Sequence, residues 1–431
     1  MKILFLMSVL AFSLFAQSLD EVIDYALKHS TVVRQSVAQR DLADLSHQKS
    51  RAERFGELDV VGSYTHYNLP RTLAPLTPSA IQSGVPVTTT KDLYSAGLAY
   101  SVPLFTGFAQ TRSVEMEQLA KEMADAKLKL TKEQLIYNIR SLYLTILTLE
   151  ERLDAQRAYT KALEQLSHQI AYEVELGKKA KVDLLKSDAS LQGSRTQEEM
   201  IVANIEIMRA SLSALTGMQI KRLSPVSISM KASVPSLQEL VGQMPDLKKL
   251  QVERLAQHKA QKMVSKSKAA YYPQIALSAY LGKNYGEDLK LNDWDDEVLW
   301  QAGLNLKYDL LDFGKRSIAV QKAKIAKFQS ALHKEQTELQ MKKEFAEALA
   351  KIRQNRALYH GNLATKRLSE QSEKIEQARY DHGASTLNDL LLAKSKREQA
   401  VAQVIESRYN YQKSLYYLDY LLERGLKHED Q

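Results

Sequence analysis

The decade Leu176-Gly177-Lys178-Lys179-Ala180-Lys181-Val182-Asp183-Leu184-Leu185 returns later in the chain as His382-Gly383-Ala384-Ser385-Thr386-Leu387-Asn388-Asp389-Leu390-Leu391. A second pair, Val102-Pro103-Leu104-Phe105-Thr106-Gly107-Phe108 and Tyr308-Asp309-Leu310-Leu311-Asp312-Phe313-Gly314, repeats at the same offset of 206 residues. Chance similarity seldom reproduces one offset in two motifs, so the chain is expected to contain one half twice. Residues 1–16 read as a leader, 17–233 as the first repeat and 234–431 as the second. Each repeat runs helix, two strands, then a long helical hairpin turning at a glycine. The strands fall at about 57–68 and 93–105 in the first repeat, and at about 274–282 and 298–311 in the second.

The helices are unusually long. No Gly or Pro occurs between Phe108 and Leu176, and roughly 69 residues at about 1.5 Å each predict a rod on the order of 100 Å. Leu135, Ile139, Leu142, Ile146, Leu149 and Leu153 alternate spacings of four and three, with Leu163, Ile170 and Val174 in phase, which is a coiled-coil seam. Gln156, Thr160 and Ser167 also fall on that seam, so looser packing is expected toward Gly177. The matching rod, Lys315 to His382, carries Gly361, a residue that lowers helix stability by about 1 kcal/mol relative to Ala and allows a bend.

The strands alternate. Tyr94, Ala96, Leu98, Tyr100, Val102 and Leu104 share one face, and Ser95, Gly97, Ala99 and Ser101 the other. In the second repeat Val298, Trp300, Ala302, Leu304, Leu306, Tyr308 and Leu310 oppose Gln301, Gly303, Asn305, Lys307 and Asp309. One face suits lipid and the other water. The partner strands, Leu58 to Tyr67 and Ile275 to Leu281, are placed mainly by the repeat. Tyr94, Trp300 and Tyr308 suit an interfacial girdle. The alternative is a soluble sheet that buries the apolar face on a helical core. Strands of about ten residues favour the membrane, and four strands alone cannot close a barrel, so the chain is expected to pair with copies of itself. The Pro-bearing loop between Leu69 and Lys91 and the acidic one at Trp294-Asp295-Asp296 would face outward.

Composition supports an envelope protein. Met1 to Ala16 has one cation, a short apolar run and small residues near its end, as a cleavable secretory leader does; an uncleaved anchor is the alternative. No later stretch of about 18 apolar residues occurs, so the mature chain has no transmembrane helix. The absence of cysteine excludes disulfides and thiolate metal sites. The formal charge of +8 comes from Lys and Arg interleaved with Asp and Glu along helices, which describes a solvated helix face rather than a nucleic-acid surface. No nucleophile elbow, phosphate loop or metal-ligand spacing appears, and the nine His are scattered. The chain therefore reads as no enzyme, without a cofactor or metal.

The opening Leu19-Asp20-Glu21-Val22-Ile23-Asp24-Tyr25-Ala26-Leu27-Lys28-His29-Ser30, the phrase Leu104-Phe105-Thr106-Gly107, the helix end Leu215-Thr216-Gly217, and Tyr380 with Gly383, Asp389, Leu390 and Leu391 resemble phrases of the TolC-like outer-membrane channel family. The resemblance spans nearly the whole mature chain. It implies a mainly α fold with β: a long antiparallel coiled-coil helical barrel continuous with a transmembrane β-barrel shared between protomers. A homotrimer would supply twelve strands, four per chain, and reach across the periplasm of a Gram-negative bacterium to a periplasmic adaptor (membrane fusion protein) and an inner-membrane pump. The implied function is a passive exit duct for efflux or type I secretion. A periplasmic coiled-coil adaptor, also secreted and heptad-bearing, is the rival reading, although it need not present a lipid-facing band.

In such channels the two glycine turns, here Gly177 and Gly383, form the periplasmic tip, and the matching gate and selectivity positions are Asp183, Tyr380 and Asp389. Three symmetry copies of a carboxylate at a constriction attract cations, and a tyrosine hydroxyl can donate to a carboxylate on a neighbouring coil. The chain departs from the pattern at Ser385, where the family can carry a basic lock residue, and at Leu392, where it can carry a second acidic ring; a weaker lock and less marked cation selectivity are expected. For Asp183 and Asp389 the alternative role is capping or first-turn placement on a helix. Lys178, Lys179 and Lys181 form either a solvated tip or a charge presented to an adaptor.

Overall fold

A computed structural model describes residues 16–84, 87–230, 233–288 and 293–428; the expected leader, apart from Ala16, lies outside them. The helices are α1 (Leu19–His29), α2 (Thr31–Ala52), α3 (Pro78–Gln82), α4 (Ala109–Glu175), α5 (Lys181–Thr216), α6 (Leu237–Gln243), α7 (Lys248–Lys268), α8 (Lys315–Asp381) and α9 (Leu387–Leu421). The strands are β1 (Glu57–Thr72), β2 (Thr89–Phe105), β3 (Gln274–Glu287) and β4 (Trp294–Lys307). Both α4 and α8 contain 67 residues, and their starts differ by the 206 residues that separate the sequence motifs. Gly361 is helical, so the α8 assignment is uninterrupted there. No described helix is long and apolar enough to cross a membrane.

Two compact units divide the chain, and each draws on both sequence halves. One comprises Gln39–Asp125 and Val252–Glu335. Its four strands form an antiparallel sheet in the order β1-β2-β3-β4. Register places Val60, Leu98, Leu281 and Trp300 in one row, with Leu58, Tyr100 and Leu304 on the same side by the period of two. The opposite side carries Ser63, Ser95, Asn284 and Glu297 in a row. The two weakly patterned strands thus acquire their faces from their neighbours. Val60 is 86% exposed, Trp300 75% and Leu304 67%. A soluble sheet would bury these side chains, and no described residue does so.

The strand limits differ from those expected in three places. At the hairpin ends the ladders continue past the apolar band, to Thr72↔Thr89 and Glu287↔Trp294, because backbone pairing persists where side-chain alternation has stopped. The β1–β2 ladder is irregular between His66 and Arg71, a stretch containing Pro70, which has no N–H to donate. At the other end β4 stops at Lys307 rather than 311. Its last partner is Gln274, which follows Pro273. The chain then turns to start α8, where Asp312 accepts N–H bonds from Gly314 (3.1 Å) and Arg316 (2.7 Å).

Helices in this unit follow the order of the strands. Lys121 of α4 reaches Asp44 of α2 at 2.6 Å, Lys262 of α7 reaches Glu115 of α4 at 2.9 Å, and His333 of α8 reaches Glu253 of α7 at 2.8 Å. The flanking helices leave apolar side chains uncovered: Leu42 and Leu45 on α2, and Ile318, Ile325, Phe328 and Leu332 on α8.

The other unit comprises Ala126–Gln251 with the described residues up to Ala38 and from Gln336 onward. Helix α1 begins with a capping box in which Ser18 and Glu21 satisfy each other's backbone N–H. It buries Val22, Ile23, Ala26 and Leu27 against Leu135, Ile139 and Tyr143 of α4. The fully buried Tyr143 is 2.9 Å from the Gln17 carbonyl and 2.7 Å from that of Ser224. Burial pushes its pKa up to about 12. A second core joins α6 to α8 and α9 through Leu240, Phe345 and Tyr411.

The seam of α4 is packed where looser contact was expected. Gln156, Thr160 and Ser167 are all buried, and each meets α5. The Gln156 amide donates to the Ser194 carbonyl (3.2 Å) and hydroxyl (2.8 Å). Thr160 and Ser194 share a hydroxyl–hydroxyl bond of 2.9 Å, and Ser167 donates to Asp188 at 2.5 Å. A buried polar group with a partner does not pay the desolvation penalty of an orphan, so these positions hold the hairpin together.

Candidate functional site

Both hairpin turns have the same backbone solution. Gly177 (φ 72°) and Gly383 (φ 73°) adopt left-handed conformations that a side chain would strain. Lys178 N–H donates to the Glu173 carbonyl (2.8 Å) and Gly177 N–H to that of Val174 (2.9 Å). In the second turn Ala384 donates to Arg379 (2.7 Å) and Gly383 to Tyr380 (3.0 Å). These paired bonds define Schellman motifs, which satisfy the last carbonyls of α4 and α8 and reverse the chain.

Beyond the turns, α5 and α9 begin differently. Ala180 precedes α5 and makes no side-chain cap, and Asp183 stands in the first turn, half-buried. Its carboxylate has no hydrogen bond or ion pair among the described residues. Thr386 caps α9: its hydroxyl accepts from Asp389 N–H (3.2 Å), while the Asp389 carboxylate accepts from Thr386 N–H (3.2 Å) and Oγ1–H (2.6 Å). The Thr386 hydroxyl, then its N–H, holds the Asp389 carboxyl below the usual aspartate range. Asp389 therefore occupies the capping role weighed as its alternative, with its side chain still exposed.

Tyr380 is 5% exposed and packs with Leu166 and Ile170 of α4 and with Leu387 and Leu390 of α9. Its hydroxyl is buried without a hydrogen-bond partner among the described residues. Over its ring lies the Lys179 ammonium, 4.2 Å from the centroid, a cation–π contact that joins the two glycine turns. Asp183, Tyr380 and Asp389 make no hydrogen bond to one another among the described residues. At the departure Ser385, the hydroxyl donates to Glu376 (2.8 Å), which also receives Arg379 (2.8 Å). Leu392 is exposed.

The polar contacts that matter most here were missed by reading along the chain. Glu373 bridges Lys394 (3.2 Å) and Arg397 (2.9 Å), largely out of solvent. Glu373 stands ten residues before Gly383 and Lys394 eleven after it. In an antiparallel hairpin, residues equidistant from the turn face each other, so reflecting the sequence through the glycine would have paired them. The same reflection through Gly177 pairs Ser167 with Asp188. No group of acidic, His or Cys side chains suited to a metal ion occurs among the described residues.

The family model described as "Outer membrane efflux protein" matches residues 22–218 and 237–422. Outer membrane protein TolC of Vibrio cholerae is 22% identical over 418 residues, covering 94% of this chain and 90% of that protein. Nodulation protein T of Rhizobium leguminosarum is 24% identical over 340 residues, covering 76% of this chain and 69% of that protein. Among solved structures, a membrane protein from Pseudomonas aeruginosa superposes with a TM-score of 0.80 at 17% identity, covering 94% of this chain and 93% of that one. The outer membrane protein VceC from Vibrio cholerae does so with a TM-score of 0.78 at 17% identity, covering 94% and 96%. At such identities the structural likeness concerns the fold.

Proposed function

The chain belongs to the outer membrane efflux protein family, and from that premise we propose that three copies assemble one passive exit duct served by a periplasmic adaptor and an inner-membrane pump. Membership makes it an outer-membrane channel protein and sets aside the enzyme and adaptor readings. The two stretches matched by the family model support an origin by duplication of one half.

One observation carries the oligomeric reading. Among the described residues the sheet ends in two unpaired edges, β1 and β4, while its apolar face is bare. Open edges are not tolerated in lipid, where each unpaired N–H or C=O is costly. Pairing β4 of one copy with β1 of the next removes every edge, and three copies give twelve strands. The helices carry the same demand: α2 and α8, outermost in their layer, expose apolar side chains that a neighbouring copy would cover.

At the tip, Asp183, without a partner among the described residues, is free to form a three-fold ring that favours cations. Tyr380 serves as an apolar clasp between hairpins, steadied by Lys179. Asp389 contributes charge while capping its helix. Lys178 and Lys181, beside that clasp, present positive charge to the adaptor. The conduit then serves drug efflux or type I secretion according to the pump attached.

The test combines outer-membrane fractionation, unheated and heated SDS gels, and reconstitution in planar bilayers. A heat-labile trimer that conducts ions is expected, with cation preference reduced by Asp183→Asn. A monomer without conductance would overturn the reading.

A further inference from the structure

Arg140 of α4 is 9% exposed, and its Nε is buried without an acceptor. Among the described residues it forms no hydrogen bond or ion pair. Its guanidinium carbon lies 4.9 Å from the ring centroid of Tyr416, a cation–π contact without a hydrogen bond. A guanidinium stays charged and carries five N–H donors, so burial in this state is unfavourable unless an acceptor arrives. Two carboxylates act on its charge from nearby without bonding it. Glu133, one side of the same helix, accepts N–H bonds from Gly425 (2.8 Å) and Leu426 (3.0 Å) with its two oxygens. Asp419 is held above the usual aspartate range by its own burial, against the opposing pull of the Arg140 charge.

Arg140 also lines a cavity of about 240 Å³. Asp20, Ile23, Asp24 and Leu27 of α1 form one wall, and Gly425 and Leu426 another. At roughly 30 Å³ per water molecule the space corresponds to about eight waters, which is the scale of a small amino acid. The lining has three chemistries: a buried guanidinium, two exposed carboxylates one helical turn apart, and the apolar surface of Ile23, Leu27 and Leu426.

We propose that this cavity binds an aliphatic amino-carboxylate zwitterion, its carboxylate on Arg140, its ammonium toward Asp20 and Asp24, and its alkyl group on Ile23, Leu27 and Leu426. A simple anion would answer Arg140 but bring its charge toward two aspartates. A simple amine would suit the aspartates and leave Arg140 unanswered. A zwitterion satisfies both ends, and charge-assisted hydrogen bonds at Arg140 would be the stronger of the two. The site is independent of the glycine turns and of the channel reading.

Isothermal titration calorimetry of the full chain in detergent with L-leucine tests it. One saturable site per chain is expected. The one-ended analogues 4-methylpentanoate and 3-methylbutylamine should bind at least about tenfold more weakly, the loss of one charged anchor. Arg140→Met should weaken leucine by at least about tenfold. Asp24→Asn, on the exposed wall, should weaken leucine without weakening 4-methylpentanoate, and it keeps the test informative if Arg140→Met fails to fold. Absence of saturable heat with leucine, equal affinity for the one-ended analogues, or an Asp24→Asn variant indistinguishable from the parent would overturn the proposal.

Discussion

Replacing Ser194 by alanine is the sharpest probe of the α4–α5 hairpin. The Ser194 hydroxyl is 2.8 Å from the Gln156 amide and 2.9 Å from the Thr160 hydroxyl, and all three residues are buried. Two bonds at about 0.5–1.5 kcal/mol each give a loss of about 1–3 kcal/mol. The larger penalty of an orphaned group is avoided, because Gln156 keeps the Ser194 carbonyl (3.2 Å) and Thr160 keeps the Gln156 carbonyl (3.0 Å). Alanine's better helix propensity returns about 0.5 kcal/mol. The net loss of about 0.5–2.5 kcal/mol corresponds to about two- to seventy-fold faster amide exchange in α4 and α5 near these residues, read by hydrogen–deuterium exchange of the purified protein. Gln156→Leu should be milder, since it removes the buried donor altogether and leaves Ser194 bonded to Thr160. Unchanged exchange in Ser194→Ala, or greater damage from Gln156→Leu, would refute a hairpin held by this polar ladder.

Other predictions address different parts of the molecule. Tyr143→Phe removes the donor facing the Gln17 and Ser224 carbonyls and should lower stability by about 1–3 kcal/mol, measured as an earlier denaturation midpoint. Leu304→Arg, on the apolar face, should lower the yield of assembled outer-membrane protein by destabilising it about 2–4 kcal/mol at mid-membrane depth, whereas Asn305→Arg on the other face should assemble normally. Asp389 has a folded-state pKa below the ordinary value, so its contribution to the α9 cap is present above the ordinary aspartate range and is lost as pH falls through the depressed value. Exchange protection at the start of α9 should fall on acidification in the parent chain, and Asp389→Ala should remove that dependence.

The helices and hairpin turns were legible because their signals are local. A run free of Gly and Pro, apolar residues at alternating spacings, and glycines 206 residues apart mark α4, α8 and both Schellman turns without reference to anything distant. Faces of β2 and β4 were legible through their period of two. The faces of β1 and β3 required register, because their own alternation is weak and their Val60 and Leu281 are identified only through Leu98 and Trp300. Polar seam positions were read as weak packing for the same reason: Gln156 looks unfavourable until Ser194 is placed beside it.

The sequence alone determined element types, the duplicated order, the two-faced strands and the family, since propensity, periodicity and repeat offset are properties of consecutive residues. Only the tertiary structure decided which polar groups are satisfied. It placed Asp389 in a cap, left Asp183 without a partner among the described residues, buried Tyr380 beneath Lys179, and set Arg140 against a cavity. Those outcomes depend on groups brought together from distant parts of the chain, where a hydrogen bond is made or lost over a fraction of an ångström.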